Sequence, residues 1–134
     1  MRRALIGLVL IACCGCRTSG TAVPTTEPAK RPAAMLVDRV WARSDSTGLP
    51  GVMRIFLQDG TLVMDSCWET YQLATWQAES DSVVVWQEGG AGLRARILAV
   101  DAEKLVLRVD LVNGSQDEHY RAAPVPYICP DMRR

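Results

Sequence analysis

The chain has one histidine and only two cysteines past residue 16, Cys67 and Cys129, which are isolated and form no CxxC. So sparse a set of soft ligands makes a poor metal centre, and no cofactor is expected. No long apolar run exists. The greasiest stretch, Ala4 to Ala12, is nine residues, where a spanning helix needs about 20. Neither charge sign dominates, with 15 Lys and Arg against 15 Asp and Glu. The basic face that nucleic acid requires is absent. Catalytic groupings are equally scarce. His119 lies in the polar stretch Gln116–Arg121 and reads as a solvated strand residue. Asp117 and Glu118 are neighbours, so a strand sends them to opposite faces and they cannot act as a carboxylate pair. Asp45-Ser46 and Asp65-Ser66 have no histidine nearby in sequence, which leaves a hydrolytic triad without support. The expectation is a protein that is not an enzyme.

What is present begins at the amino end. Met1-Arg2-Arg3, the apolar run and a small residue before cysteine describe an export leader. Leu10-Ile11-Ala12-Cys13 resembles the lipobox of bacterial lipoproteins. That resemblance implies cleavage after Ala12 and acylation of Cys13, with Cys16 as the alternative. It also implies membrane attachment through the lipid and a place in the cell envelope. Cys14, rather than aspartate, follows Cys13, which by the same resemblance leans toward an outer membrane and a periplasm-facing domain. From Cys13 onward the chain holds 13 basic and 15 acidic residues, a net of −2.

Residues 13–34 form the anchor and a tether. From Arg17 to Ala34 the chain has four threonines and three prolines and few large apolar residues. Such composition cannot offset the entropy of ordering. The remaining organisation is one domain over residues 35–129 and a short tail, 130–134. About 95 residues suffice for a single modest core. In an oxidising compartment Cys67 and Cys129 are expected to form a disulfide.

From Met35 the chain breaks into short β-rich runs separated by turn residues. The runs are Met35–Arg43, Val52–Gln58, Thr61–Cys67, Tyr71–Glu79, Ser82–Glu88, Leu93–Ala99, Leu105–Leu111 and Gln116–Ala122. Asp59-Gly60 and Asn113-Gly114 read as two-residue hairpin turns. In the second run Met53, Ile55 and Leu57 form the apolar face, which sends Arg54 outward, as for Arg94, Arg96 and Arg108. The sixth run is the cleanest, with Leu93, Ala95, Ile97 and Ala99 set against Arg94 and Arg96. Short connections make neighbours antiparallel. The fold class is therefore all-β, an up-and-down antiparallel barrel of about eight strands, which leaves no exposed edge. Runs of about seven residues are shorter than the roughly 9–11 of a membrane barrel strand.

Trp41 in the first run, Ile55 to Leu62 across the first hairpin, Tyr71 and Trp76 in the fourth run, and Lys104 to Leu107 resemble the small lipocalin-like domains of bacterial lipoproteins. Barrels of that size hold one small ligand or are filled by side chains. Trp41, Phe56, Tyr71, Trp76 and Trp86 are the residues that would line an apolar pocket. Ile97, Leu105, Leu107, Val109 and Leu111 also claim the interior. Two roles follow: binding a small apolar or amphipathic molecule, or docking another envelope protein without catalysis.

Overall fold

The computed structural model describes residues 31–45 and 49–130. The leader, Cys13 and Cys16, the tether as far as residue 30 and residues 131–134 lie outside the described residues. A four-residue helix, α1 (Pro32–Met35), is followed by β1 (Val40–Arg43), β2 (Met53–Phe56), β3 (Thr61–Asp65) and β4 (Gln72–Ser80). Then come β5 (Val83–Glu88), β6 (Ala91–Val100), β7 (Lys104–Leu111) and β8 (Gly114–Ala122). Each strand pairs antiparallel with the next, and β8 returns to β1. The all-β, eight-stranded, up-and-down closed barrel expected from the runs is what forms.

Up-and-down closure gives the barrel two distinct ends. At one, the polar turns Gln58-Asp59, Asp81-Ser82 and Asp101–Glu103 connect the strands, and α1 closes the barrel. Here the first expected strand is corrected. Met35 ends α1, Val37 makes a single parallel bridge to Phe56, and the strand proper is Val40–Arg43. Pro32–Ala34, expected within the tether, also belong to the fold. Proline suits the first turn of a helix, where its missing N–H has no partner to lose. Ala33 N–H donates to Asp81 O at 2.9 Å, and Ala33 and Leu36 are buried. Leu36 O then accepts the indole N–H of Trp41 at 2.9 Å, which satisfies the one polar atom of a fully buried ring. Asp38, at φ +56°, turns the chain into β1.

Inward positions interdigitate in one core. It contains Trp41, Phe56, Leu62, Val84, Trp86, Ala95, Ile97, Leu105, Leu107, Val109 and Tyr120. An eight-stranded barrel is just wide enough for such a filling. Phe56 meets Trp76 edge-to-face, with centroids 5.1 Å apart. Trp41→Ala should lower unfolding stability by about 3–5 kcal/mol. Urea denaturation is the measurement, and a loss below about 1 kcal/mol would contradict the burial.

The first hairpin departs from the two-residue form expected at Asp59-Gly60, and the second keeps that form one residue earlier than Asn113-Gly114. In the first, Gly60 N–H donates to Leu57 O and Leu57 N–H to Thr61 O. Gly60 takes φ +88° while Asp59 stays at negative φ. That is a three-residue loop closed by a left-handed glycine. In the second, Leu111 pairs with Gly114, so Val112 and Asn113 form the tip.

The chain after β8 explains why β2 presents the opposite face from the one expected. Ala123 N–H donates to Val40 O at the α1 end. Cys129 is joined to Cys67, just past β3 at the opposite end, by the expected disulfide. A Cβ on Gly51 would lie 2.7 Å from Cys67 Sγ and 3.3 Å from Pro130, so only glycine fits under this junction. Since β1 and β2 lie between β8 and β3, residues 123–129 cross the outer wall of β1 and β2. That wall is apolar. Val40 pairs with Ile55, Ala42 with Met53 and Ile55 with Val63, and Met53 is buried although it faces outward. Met53 and Ile55 therefore serve the outside, and Arg54 and Phe56 face in. The outward positions of β6 to β8 are polar instead, with Arg94, Arg96, Arg108, Asp110, Asp117 and His119 exposed.

Candidate functional site

The inward register of β1, β2, β5 and β8 brings charged groups together at the end remote from α1. Arg54 is the centre. Its Nε donates to Tyr120 Oη at 2.9 Å, and its Nη1 lies 3.4 Å from Glu88 Oε2. Its Nη2 lies 3.4 Å from Glu118 Oε2. The guanidinium stacks over the Trp86 ring, 4.7 Å from the centroid. Tyr120 Oη donates to Glu118 Oε2 at 2.5 Å. Trp86 Nε1 donates to Glu88 Oε2 at 2.9 Å. Arg43 completes the group, reaching Glu118 Oε1 at 3.2 Å and Asp45 Oδ1 at 2.8 Å. Asp45 Oδ2 accepts the backbone N–H of His119.

Arg54 and Glu118 side chains are 9% and 10% exposed, so their mutual attraction acts in a medium that screens weakly. Burial by itself disfavours the charged Arg54, yet Tyr120, Glu118 and Glu88 together hold its pKa above the usual guanidinium value. Burial pushes the Tyr120 hydroxyl well above the ordinary tyrosine range, and the neighbouring Glu118 adds to this, while Arg54 opposes it. A raised pKa stabilises the fold fully below the unfolded value of about 10 and loses that contribution as pH climbs above it. Stability should therefore decline above pH ~10, and less in Tyr120→Phe. Unfolding midpoints in neutral and strongly alkaline buffer for both chains test this; equal alkaline losses would refute it.

A cleft of about 150 Å3 lies over the network, lined by Arg54, Met64, Ser66, Glu69, Gln72 and Glu88 among others. Ligand pockets usually occupy roughly 300–1,000 Å3. The loop beside it is well fixed. Asp65 Oδ1 accepts the N–H groups of Ser66 and Cys67, and Ser66 Oγ donates to Glu69.

Of the aromatics picked from sequence, Trp41, Phe56 and Trp86 are brought together and wholly buried. Trp76 packs partly buried against that core, and its Nε1 donates to Leu57 O. Tyr71 stands apart, 59% exposed just ahead of β4. His119 is exposed on the outside of β8, while Asp117 pairs with Arg108 on the outer wall at 2.7 Å. The residues missed from sequence are Arg43, Arg54, Glu88, Glu118 and Tyr120. Arg54, expected to point outward, points in; the covered apolar wall reversed the apparent face of β2. The one available signal was the split of Asp117 and Glu118 to opposite faces, which required one carboxylate to enter the barrel. Among the described residues no group of three His, Cys, Asp or Glu is placed to hold a metal ion.

Fold and site together define a closed up-and-down β-barrel, plugged at one end by a helix and filled at the other by an ion-paired network. No protein-family model, curated protein or solved structure matches the chain.

Proposed function

We propose that this protein is a lipid-anchored envelope lipoprotein whose lipocalin-like barrel works by contact, as a rigid interaction module without catalysis. The observation that favours contact over ligand storage is the filling of the barrel. Trp41, Phe56, Trp86 and Tyr120 occupy its middle, and Arg54 and Glu118 neutralise each other above them. The cleft over this network, about 150 Å3, is small for an amphipathic guest, and the wider depression of about 500 Å3 beside β8 is lined by Ser44, Glu103, Lys104, His119, Tyr120 and Arg121, with no aliphatic side chain to hold an apolar tail. Export and acylation at Cys13 rest on the leader and its lipobox-like junction. Two or more acyl chains give stable anchoring where one is marginal. The outer-membrane, periplasm-facing location belongs to the same reading.

Two measurements test it. Labelled palmitate should enter the wild type and be lost in Cys13→Ala; retained label that disappears only in Cys16→Ala would move the anchor, and no label in either chain would end the lipoprotein reading. A hydrophobic fluorescent probe should show no saturable one-to-one uptake. Saturable uptake lost in Trp76→Ala would restore the ligand-binding role.

A further inference from the structure

Among the described residues six of the nine exposed large apolar side chains gather at one end of the barrel; Leu98 on β6 and Val125 and Ile128 after β8 lie elsewhere. At the end remote from α1, Leu49 sits in the β1–β2 connection, Trp68 and Tyr71 in the β3–β4 connection, and Leu73 at the start of β4. Leu111 and Val112 sit at the β7–β8 turn, where Val112 is fully exposed. Leu111, expected in the interior, is 47% exposed. The turns at the α1 end carry Gln58, Asp59, Asp81, Ser82, Asp101 and Glu103, and no exposed large apolar residue among the described residues. The connections of one pole are greasy and those of the other polar.

We propose that the pole bearing Trp68, Tyr71 and Val112 seats in the interfacial layer of a lipid bilayer. Apolar tips on separate loops, led by a tryptophan and a tyrosine, suit that layer, where aromatic rings place an apolar body below and a polar edge at headgroup level. Isolated surface apolar residues are ordinary; their concentration on three of the four connections at one end marks a contact surface. The loop bearing Trp68 and Tyr71 is held in advance by the Cys67–Cys129 bond and the Asp65 hydrogen bonds, so little order is lost on contact. Charge says which kind of bilayer contact this is. The groups at this end are Arg43 with Asp45, Arg54 with Glu88, Arg94 with Asp110, and the carboxylates Asp65 and Glu69. Among the described residues every arginine there has an acidic partner, so anionic headgroups gain nothing and binding comes from apolar insertion.

The chain outside the described residues permits this. It joins the barrel at the opposite pole, where Arg31 lies 3.6 Å from Asp81. Fully extended, the stretch from Cys13 to Arg31 reaches about 60 Å. A ten-residue strand such as β6 is roughly 33 Å long before tilt. A chain anchored at Cys13 is long enough for the apolar pole to turn back onto the same bilayer. The inference deepens the contact reading above by naming a lipid surface as the partner.

The experiment uses the full-length protein on phosphatidylcholine vesicles with brominated acyl chains, with tryptophan emission as readout. Bromine should quench the wild type, and Trp68→Phe should remove more than half of the quenched intensity. Quenching should be unchanged by molar salt or added anionic lipid, and Leu111→Ser with Val112→Ser should weaken it several-fold. Equal fractional quenching in wild type and Trp68→Phe overturns the proposal, as does vesicle-bound protein without quenching. The second result leaves the anchor intact and fails only the seated pole. Quenching through Trp68 in a chain that takes up no palmitate would sustain the pole and fail the anchor. Shielding of Trp68 by a co-purifying protein, with no bromine effect, assigns the surface to a protein contact and overturns the lipid assignment.

Discussion

Glu118→Leu should lower unfolding stability by about 3–5 kcal/mol, the usual cost of leaving a buried charge without its partner. Glu118 holds three groups at once: the Arg54 guanidinium, the Tyr120 hydroxyl and Arg43. Its removal takes one of two carboxylate partners from buried Arg54 and the only acceptor shown for the Tyr120 hydroxyl proton. Arg54 retains Glu88 and the Trp86 face, which limits the loss, and Arg43 retains Asp45. The triple variant Arg54→Met, Glu118→Leu, Tyr120→Phe removes every stranded polar group and keeps the volume filled. It should recover most of the loss, because replacing a buried ion pair by apolar groups is often neutral or favourable. Chemical denaturation of the three chains is the test. A single variant within about 1 kcal/mol of wild type would mean that water reaches the network. A triple variant as unstable as the single would mean that shape, not stranded charge, sets the cost.

Breaking the Cys67–Cys129 bond should cost about 4 kcal/mol in the chain-entropy account, given the sequence separation of 62 residues. A local effect adds to this. Beyond Ala123 the last backbone hydrogen bond to the barrel is spent, and the segment reaches Cys129 with Val125 and Ile128 more than 80% exposed. Without the bond, residues 124–130 should lift from the wall of β1 and β2 and uncover Met53, Ile55 and Val40. Cys67→Ala and Cys129→Ala should therefore lower the denaturation midpoint and raise binding of a hydrophobic dye to the folded protein. A midpoint unmoved by reductant, with dye binding unchanged, would show that packing alone holds the segment. Dye binding should stay independent of Trp76, which separates this outer wall from any uptake into the barrel.

Sequence periodicity read most strands correctly because their outer faces meet water. In β6, Leu93, Ala95 and Ile97 enter the core while Arg94 and Arg96 stay outside. The same alternation failed in β2, where both faces are apolar: Phe56 faces the core and Met53 and Ile55 face the wall crossed by the tail. Period-two logic has no way to choose between two greasy faces, so Arg54 went to the wrong one. It also failed past Ile97, where the register shifts between Ile97 and Ala99 and Val100, rather than Ala99, packs against the core. Helix α1 was invisible because four residues give no periodicity; its burial comes from the barrel end it covers. The network was hidden for a related reason. Arg54, Glu88 and Glu118 are distant in the chain, and nothing local marks them as neighbours.

Composition and spacing alone dictated an all-β chain of eight antiparallel runs with one disulfide, since short turns and alternating faces leave few ways to bury apolar surface without open edges. Only the closed barrel and the tail outside it decided which face of β2 is inside, because that choice depends on what lies across the barrel and on what covers the outer wall. The same closure sorted the connections into two poles, one polar and one apolar. That sorting has no local signal: it follows from the alternation of strand direction around the ring, which sends every second connection to the same end.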